Sequence, residues 1–254
     1  MLDAHAVTED RLLDGRVRLK QPRHGYRAGT DAVLLAACVS PKSGDIVVDL
    51  GAGTGAVGIM ACARAGSDAV IADLVLVERD ACLLELCREN LFLNGLSGRV
   101  VAADLLASRD ERRGRGLLPE SADWVATNPP FLDPGSARPS PDPDRSAAHL
   151  MPADGLGRWL DAAHDLLKPK GRLALIHRAD ALAATFRHLG GRFGGVTARA
   201  VHPRRDAAAT RVLLTATKGS RAPLTLAAPL LLHEADGTFT PLAAALHRGE
   251  TSLA

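Results

Sequence analysis

The chain has 254 residues, 46% hydrophobic and only 3% aromatic, so Ala, Leu and Val must fill its core. The formal net charge is +2; no apolar run reaches the roughly 18 residues that span a bilayer, and no apolar stretch behind the N-terminus marks a secretory signal. Cys38, Cys62, Cys82 and Cys87 have neither C-x-x-C spacing nor a disulfide pattern, so reduced, buried thiols in helix-like segments of a cytoplasmic protein are expected.

Residues 1–29 read as short strands and turns rich in Arg and Gly. Thr30 or Asp31 can cap a helix through 32–38, which ends at 41–44. Strands and helices then alternate. A buried-type strand at 45–50 precedes an apolar helix at 54–65. A second strand at 74–78 leads into an amphipathic helix at 81–93, stopped by Asn94-Gly95. A third strand covers 99–104, and the apolar run 122–127 carries a fourth at 124–127. The segment 133–153, rich in Pro with Gly, Ser and Asp, reads as a mobile loop.

Beyond that loop, 155–167 resumes as a helix closed by Lys168-Pro169-Lys170-Gly171, followed by a fifth strand at 172–177 and a helix at 180–189. Residues 196–201 and 211–217 form two late strands, expected as an antiparallel pair. Glycines 190, 191, 194 and 195 around Arg192-Phe193 read as a turn. In the tail, Asp236-Gly237 between 230–234 and 238–240 is a hairpin signal. The alternation predicts an α/β fold with a mostly parallel, doubly wound sheet and a C-terminal antiparallel strand pair. The expected division is an N-terminal strand and helix segment (1–44) packed on a core (45–218), then a hairpin tail (219–254).

Two motifs carry chemistry. The first is the loop Asp49-Leu50-Gly51-Ala52-Gly53-Thr54-Gly55, whose glycines let a ligand approach the backbone at a helix N-terminus. It also meets the loose dinucleotide pattern, so hydride chemistry competes at this point. Three acids favour a methyl donor instead. Asp49 can accept from the donor's amino acid part, Glu78 can take both ribose hydroxyls, and Asp104 can accept from the adenine amine. All three fall at expected strand ends, where such sheets bind ligands, although strand-end acids also commonly cap helices. Ala52, Arg79 and Leu105 adjoin these positions and complete the expected donor-binding set.

The second motif is Asn128-Pro129-Pro130-Phe131. Alone it is ordinary turn chemistry. After a fourth strand, the Asn128 side-chain oxygen and the Pro129 carbonyl can both accept from one amino group. The prolines stiffen that geometry and Phe131 offers a stacking face. Together the motifs point to S-adenosyl-L-methionine-dependent methylation of an amine on a planar ring or amide, with S-adenosyl-L-homocysteine as product. Positioning and polarisation would carry the catalysis without a strong general base. No G-x-S-x-G elbow, P-loop or H-E-x-x-H is present, and the nine histidines show no metal-ligand spacing, so they read as surface or helix-end residues and no metal is expected.

The chain resembles class I amino-methyltransferases of the Asn/Asp-Pro-Pro-aromatic type, which implies a Rossmann-like core. The segment Gln21-Pro22-Arg23-His24-Gly25-Tyr26-Arg27-Ala28-Gly29-Thr30-Asp31-Ala32-Val33-Leu34-Leu35 is similar to the N-terminal segment of bacterial tRNA1(Val) (adenine-37-N6)-methyltransferases. That likeness runs from about residue 10 to residue 217. It implies a tRNA substrate methylated at adenine N6 and places Gly29, Thr30 and Asp31 in the donor pocket, with Asn128 touching the donor as well. Phe131 stands where many relatives carry Tyr.

Other functions fit part of the pattern. Guanine N2 of ribosomal RNA suits the Phe form of the motif. Glutamine N5 of a protein is disfavoured, because only 48 residues precede Asp49 and leave little room for a recognition domain. A non-catalytic RNA module that only binds the donor is disfavoured by the intact Gly51, Gly53, Gly55 and Asn128. Basic residues cluster at 11–27 (Arg11, Arg16, Arg18, Lys20, Arg23, Arg27) and at 199–221 (Arg199, Arg204, Arg205, Arg211, Lys218, Arg221). If the fold brings these together they make a phosphate-binding face; otherwise they are solvated surface.

Overall fold

The computed structural model describes residues 7–24, 27–66, 70–130, 152 and 154–253. The chain opens with a hairpin of β1 (Val7–Leu12) and β2 (Val17–Pro22), in which Val7 faces Pro22 and Leu12 faces Val17. Next come α1 (Thr30–Ala36), β3 (Ile46–Leu50), α2 (Ala56–Ala65), β4 (Asp73–Glu78), α3 (Ala81–Leu93), β5 (Arg99–Ala102), α4 (Arg109–Gly114) and β6 (Ala122–Thr127). The second half holds α5 (Gly155–Leu166), β7 (Leu167–Arg178), α6 (Leu182–Leu189), β8 (Phe193–His202), β9 (Arg211–Lys218), β10 (Thr225–Leu226), β11 (Leu230–Leu231) and α7 (Pro241–Arg248).

The main sheet has the order β5-β4-β3-β6-β7-β9-β8, with β10 and β11 both beside β8. Strands β5, β4, β3, β6 and β7 are parallel, and β9 is antiparallel to both β7 and β8. The loops after β3, β4, β5 and β6 therefore gather on one edge, where open α/β sheets bind ligands. Apolar runs such as Ile46-Val47-Val48 and Leu74-Val75-Leu76-Val77 suit strands covered on both faces. Successive residues point to opposite sides. Val47, Leu74, Leu76 and Trp124 pack beneath Leu34 of α1, Ile59 of α2 and Leu91 of α3. On the other face Val48, Val75, Val77 and Leu173 meet Leu160 of α5 and Leu189 of α6.

The hairpin docks on α3 by an unusual pairing. Asn90 accepts from Lys20 N–H (2.7 Å) and donates to Lys20 C=O (2.9 Å). One turn later Asn94 does the same for Arg18 (2.9 and 2.7 Å). Two side-chain amides thus stand where a third strand would pair. The turn into α1 is held by a second polar set. Buried Gln21 donates to Asp10 (2.7 Å) and accepts from Ala28 N–H (2.7 Å), and Arg27 donates to Asp10 (2.5 Å), to Thr8 (2.7 Å) and to Pro22 C=O (2.7 Å).

Several expectations need correction. Gly29, not Thr30 or Asp31, is the N-cap of α1, with no side-chain cap bond. The helix expected from residue 54 begins at Ala56, because Gly55 caps it in the left-handed region (φ 84°). The third strand stops at Ala102, short of Asp104. α4 was not foreseen, although Ser108 and Glu111 form a capping box at its start.

Lys168-Pro169-Lys170-Gly171 lies within β7 as a bulge. The pairing jumps from Ala122 opposite Leu167 to Trp124 opposite Arg172, and Lys170 takes φ 66° there. A 3-10 turn (Ala179–Ala181) precedes α6, and Phe193 to Gly195, expected in a turn, already belong to β8. The tail hairpin is reduced to one antiparallel bridge, His233 to Phe239. Its first half pairs instead in parallel with β8, and α7 follows. Cys82 is exposed rather than buried, Cys38 lies past the end of α1, and His177 is buried inside β7. The expected loop at 133–153 lies almost wholly outside the described residues.

Candidate active site

The glycine loop follows β3 and holds its shape through its own bonds. Gly51 and Ala52 both donate to Val77 C=O (2.9 Å each), and Gly55 donates to Ala52 C=O (2.8 Å). Gly51, Gly53 and Gly55 have φ of 72°, 57° and 84°, a region that side chains rarely adopt. Two of the glycines are also required for space. A Cβ on Gly51 would lie 2.6 Å from Cζ2 of Trp159, and one on Gly55 would lie 2.7 Å from Leu76. The loop is tied to its surroundings as well. Thr54 C=O accepts from buried Asn90 (2.9 Å), and the Cys87 thiol donates to Gly53 C=O (3.1 Å).

Asp49 is 2% exposed and accepts from Gly58 N–H of α2 (2.9 Å), which satisfies one open donor of that helix's first turn. Burial pushes its carboxyl up to about 7 and nearby Glu78 adds to the rise, while the Gly58 bond pulls the other way. Glu78, at the end of β4, accepts from Gly53 N–H through Oε2 (2.9 Å) and from Arg79 and Asp80 N–H through Oε1 (2.7 and 3.0 Å). Three donors hold the carboxylate beside the loop, with lone pairs left over for a ligand. Asp104 is exposed past β5 and accepts from Leu106 N–H (2.9 Å); Leu105 and Ala52 are buried, and Arg79 is exposed.

β6 delivers the second motif beside the loop. Thr127 donates to Leu50 C=O (2.9 Å) across to β3 and accepts from the indole of Trp159 on α5 (2.7 Å). That relay joins the last residue of β6 to the residue before Gly51, while the same Trp159 ring fills the space beneath Gly51. Next in the chain is Asn128, whose Oδ1 is buried with no hydrogen-bond partner among the described residues. A buried acceptor left bare costs on the order of 1–3 kcal/mol, and an incoming N–H would satisfy it. Pro129 is buried and Pro130 half-buried. Phe131 lies outside the described residues.

Gly29, Thr30 and Asp31 lie where α1 begins. Gly29 C=O accepts from Ala32 and Val33 N–H (3.0 and 3.3 Å), and the space where its Cβ would stand is open. Asp31 accepts from Arg211 Nε at the start of β9 (2.8 Å). This ion pair joins the start of α1 to the start of β9. The chain thus brings Asp49, Glu78, Asn128 and the start of α1 toward one sheet edge. Thr127, Trp159 and Asn90 escaped sequence reasoning. Thr127 and Trp159 fell inside correctly expected elements, but nothing local in their spacing relates them to Gly51. Among the described residues no group of His, Cys, Asp and Glu could hold a metal, and no helix is long and apolar enough to cross a membrane.

Residues 27–202 match the family model of the methyltransferase small domain. A tRNA1(Val) (adenine(37)-N6)-methyltransferase of Porphyromonas gingivalis (strain ATCC 33277) is 31% identical over 239 residues, covering 89% of this chain and 89% of that protein. The protein of the same name from Bacteroides thetaiotaomicron is 31% identical over 157 residues, 61% of this chain and 60% of its own. A crystal structure of a predicted O-methyltransferase from Agrobacterium tumefaciens is 32% identical, with TM-score 0.70, covering 87% of this chain and 97% of that one. TYW2 of M. jannaschii in complex with AdoMet, 15% identical with TM-score 0.55, shares the fold over 85% of this chain and 88% of its own.

Proposed function

The chain belongs to the methyltransferase small-domain family, and from that premise we propose that it methylates the exocyclic N6 amine of an adenine in tRNA, at adenine 37 beside the anticodon of a valine tRNA. It is a methyltransferase whose donor is S-adenosyl-L-methionine. The finer target rests on the relatives named as tRNA1(Val) (adenine(37)-N6)-methyltransferases and on the chemistry of Asn128.

The bare, buried Oδ1 of Asn128 carries this reading. It is an acceptor waiting for a donor, beside a glycine loop shaped to receive a ligand. With the Pro129 carbonyl it would take both hydrogens of one amine, turning the nitrogen lone pair toward the loop. The bound donor supplies an electrophilic methyl carbon. Asp49 and Glu78 would hold its amino acid and ribose ends, with Asp104 at its adenine. Ala52, Arg79 and Leu105 would line its path, and Gly29, Thr30 and Asp31 would close the pocket from the side of α1. Asn128 cannot remove a proton. That suits an amine, which sheds its own proton to water after transfer, and disfavours the hydroxyl chemistry suggested by the Agrobacterium neighbour's description. The target base must leave its stack to reach Asn128, at a cost of a few kcal/mol that is smallest in a loop.

The test is transfer from labelled donor to total tRNA, ribosomal RNA and protein from a strain lacking this gene, followed by nucleoside analysis. Label as N6-methyladenosine in tRNA is the expected result. Label as N2-methylguanosine in ribosomal RNA, as glutamine N5-methyl in protein, or as an O-methyl group would overturn the target while leaving the donor site intact.

A further inference from the structure

We propose that the turn between β8 and β9 grips the phosphate backbone of the substrate RNA through Arg204 and Arg205, with the C-terminal segment 225–233 bracing that turn; this rests on the RNA target proposed above. β8 runs in the same direction as β7, so its end at His202 lies on the same sheet edge as Asn128. Three strand spacings separate β6 from β8, about 14 Å across the edge. A few nucleotides either side of a base held at Asn128 cover that distance.

The charges on this edge are not equivalent. Arg178 is bonded to Asp180 (2.9 Å) and Arg211 to Asp31 (2.8 Å). Arg204 and Arg205 are both exposed. Arg204 has only a loose contact with Asp206 (3.7 Å), and Arg205 has no partner among the described residues. A guanidinium presents paired donors that match phosphate oxygens.

The turn itself is built. His202 Nδ1 donates to Ala207 C=O (2.8 Å), Ala207 N–H to Arg204 C=O (3.2 Å), and Thr210 N–H to Val201 C=O (3.0 Å). The tail then runs alongside it. Leu230 pairs with Val201, and the N–H groups of Leu232 and His233 reach the carbonyls of His202 and Pro203 (2.9 and 3.0 Å). Further back on the same edge of β8, Thr225 pairs with Thr197 and Arg199 donates to Ala228 C=O (2.6 Å). An exposed loop carrying two such cations, yet held by bonds within the turn and by the tail along the β8 edge, suits a ligand that is long, anionic and indifferent to sequence. Holding the cations in place reduces the ordering cost of binding.

The test measures binding of an unmodified valine tRNA transcript to the full chain across a salt series, for wild type, R204A/R205A and R204K/R205K, with donor affinity measured in parallel. The alanine pair is expected to weaken RNA binding by roughly tenfold or more at low salt. It should also flatten the plot of log affinity against log salt by about 1.5. KM for RNA should rise while kcat and donor affinity stay within about twofold, and the lysine pair should recover most of the loss. RNA affinity and salt slope unchanged in R204A/R205A overturn the grip and leave the tRNA target standing. If the wild-type chain neither binds nor methylates RNA but modifies a protein, the target and the grip fall together.

Discussion

Asn128 and Asp49 show two ways in which a buried oxygen separates what a site binds from what it does. Asn128→Ala should lower kcat by roughly a hundredfold to a thousandfold while donor affinity, read by calorimetry, changes little. A variant that turns over at near wild-type rate would remove Asn128 from the chemistry. For Asp49 the expectation concerns stability. Its carboxyl is raised from 3.8 to about 7, chiefly by burial. The folded protein therefore holds this proton more tightly than the unfolded chain does. The stabilisation is complete below about 4 and is lost as pH rises toward 7, a change of about 4 kcal/mol at most. Asp49→Asn keeps an acceptor for Gly58 and cannot ionise. Without donor it should match wild type in denaturant near pH 4 and be the more stable near pH 8. Parallel curves at the two pH values would show that Asp49 does not govern this pH dependence. The sequence displayed both residues because their motifs are local. It could not display that Asn128 lacks a partner, since that depends on everything else around it.

Whether a helix or strand could be foreseen turned on whether its signals were local. α3 was foreseen to the residue: Asp80 accepts from Cys82 and Leu83 N–H at its start, and Asn94-Gly95 closes it. α7 carried equally local signals, with Thr240 accepting from Ala243 N–H, Pro241 in the first turn and Gly249 at its end. The Asp-Gly turn just before it is the stronger signal in the tail, and the sequence reading contains no helix there. The contacts between elements had no such local mark. Trp159 reaches Thr127 and the underside of Gly51 from a helix in a different part of the chain. Trp159→Phe removes the indole donor and leaves Thr127 bonded only to Leu50. A cost of about 1–3 kcal/mol in stability is expected, with KM for donor and for target both raised, because one ring supports both motifs. A change in only one KM would refute that shared support. Gly51→Ala should be harsher, since the left-handed φ and the 2.6 Å contact act together. Its expected signature is loss of donor binding in calorimetry before loss of the folded signal in circular dichroism.

The parallel direction of β3, β4, β5, β6 and β7 followed from the alternation of elements in the sequence, whereas the placement of the tail did not. β10 and β11 are two residues each, too short to carry a periodic signal, and both exist because β8 offers an open edge. Ending the chain at residue 222 should therefore strip β8 of its outer partners and uncover Leu230's and Leu246's places in the core. A lower melting temperature and a tendency to aggregate are expected in light scattering, and a truncated chain as stable as the whole would show the tail to be dispensable. The outer edge of β2 is treated differently. On β2 the outward-facing backbone positions are Arg18, Lys20 and Pro22. Asn94 and Asn90 occupy the first two, while Pro22 has no N–H to offer and its carbonyl is taken by Arg27. No hydrogen-bonding group on that side is left to recruit a strand from another molecule. The two asparagines thus set the colloidal behaviour of the protein as well as its fold: replacing both with leucine would leave a hairpin able to zip onto its own copies, and filament or oligomer formation would begin at β2.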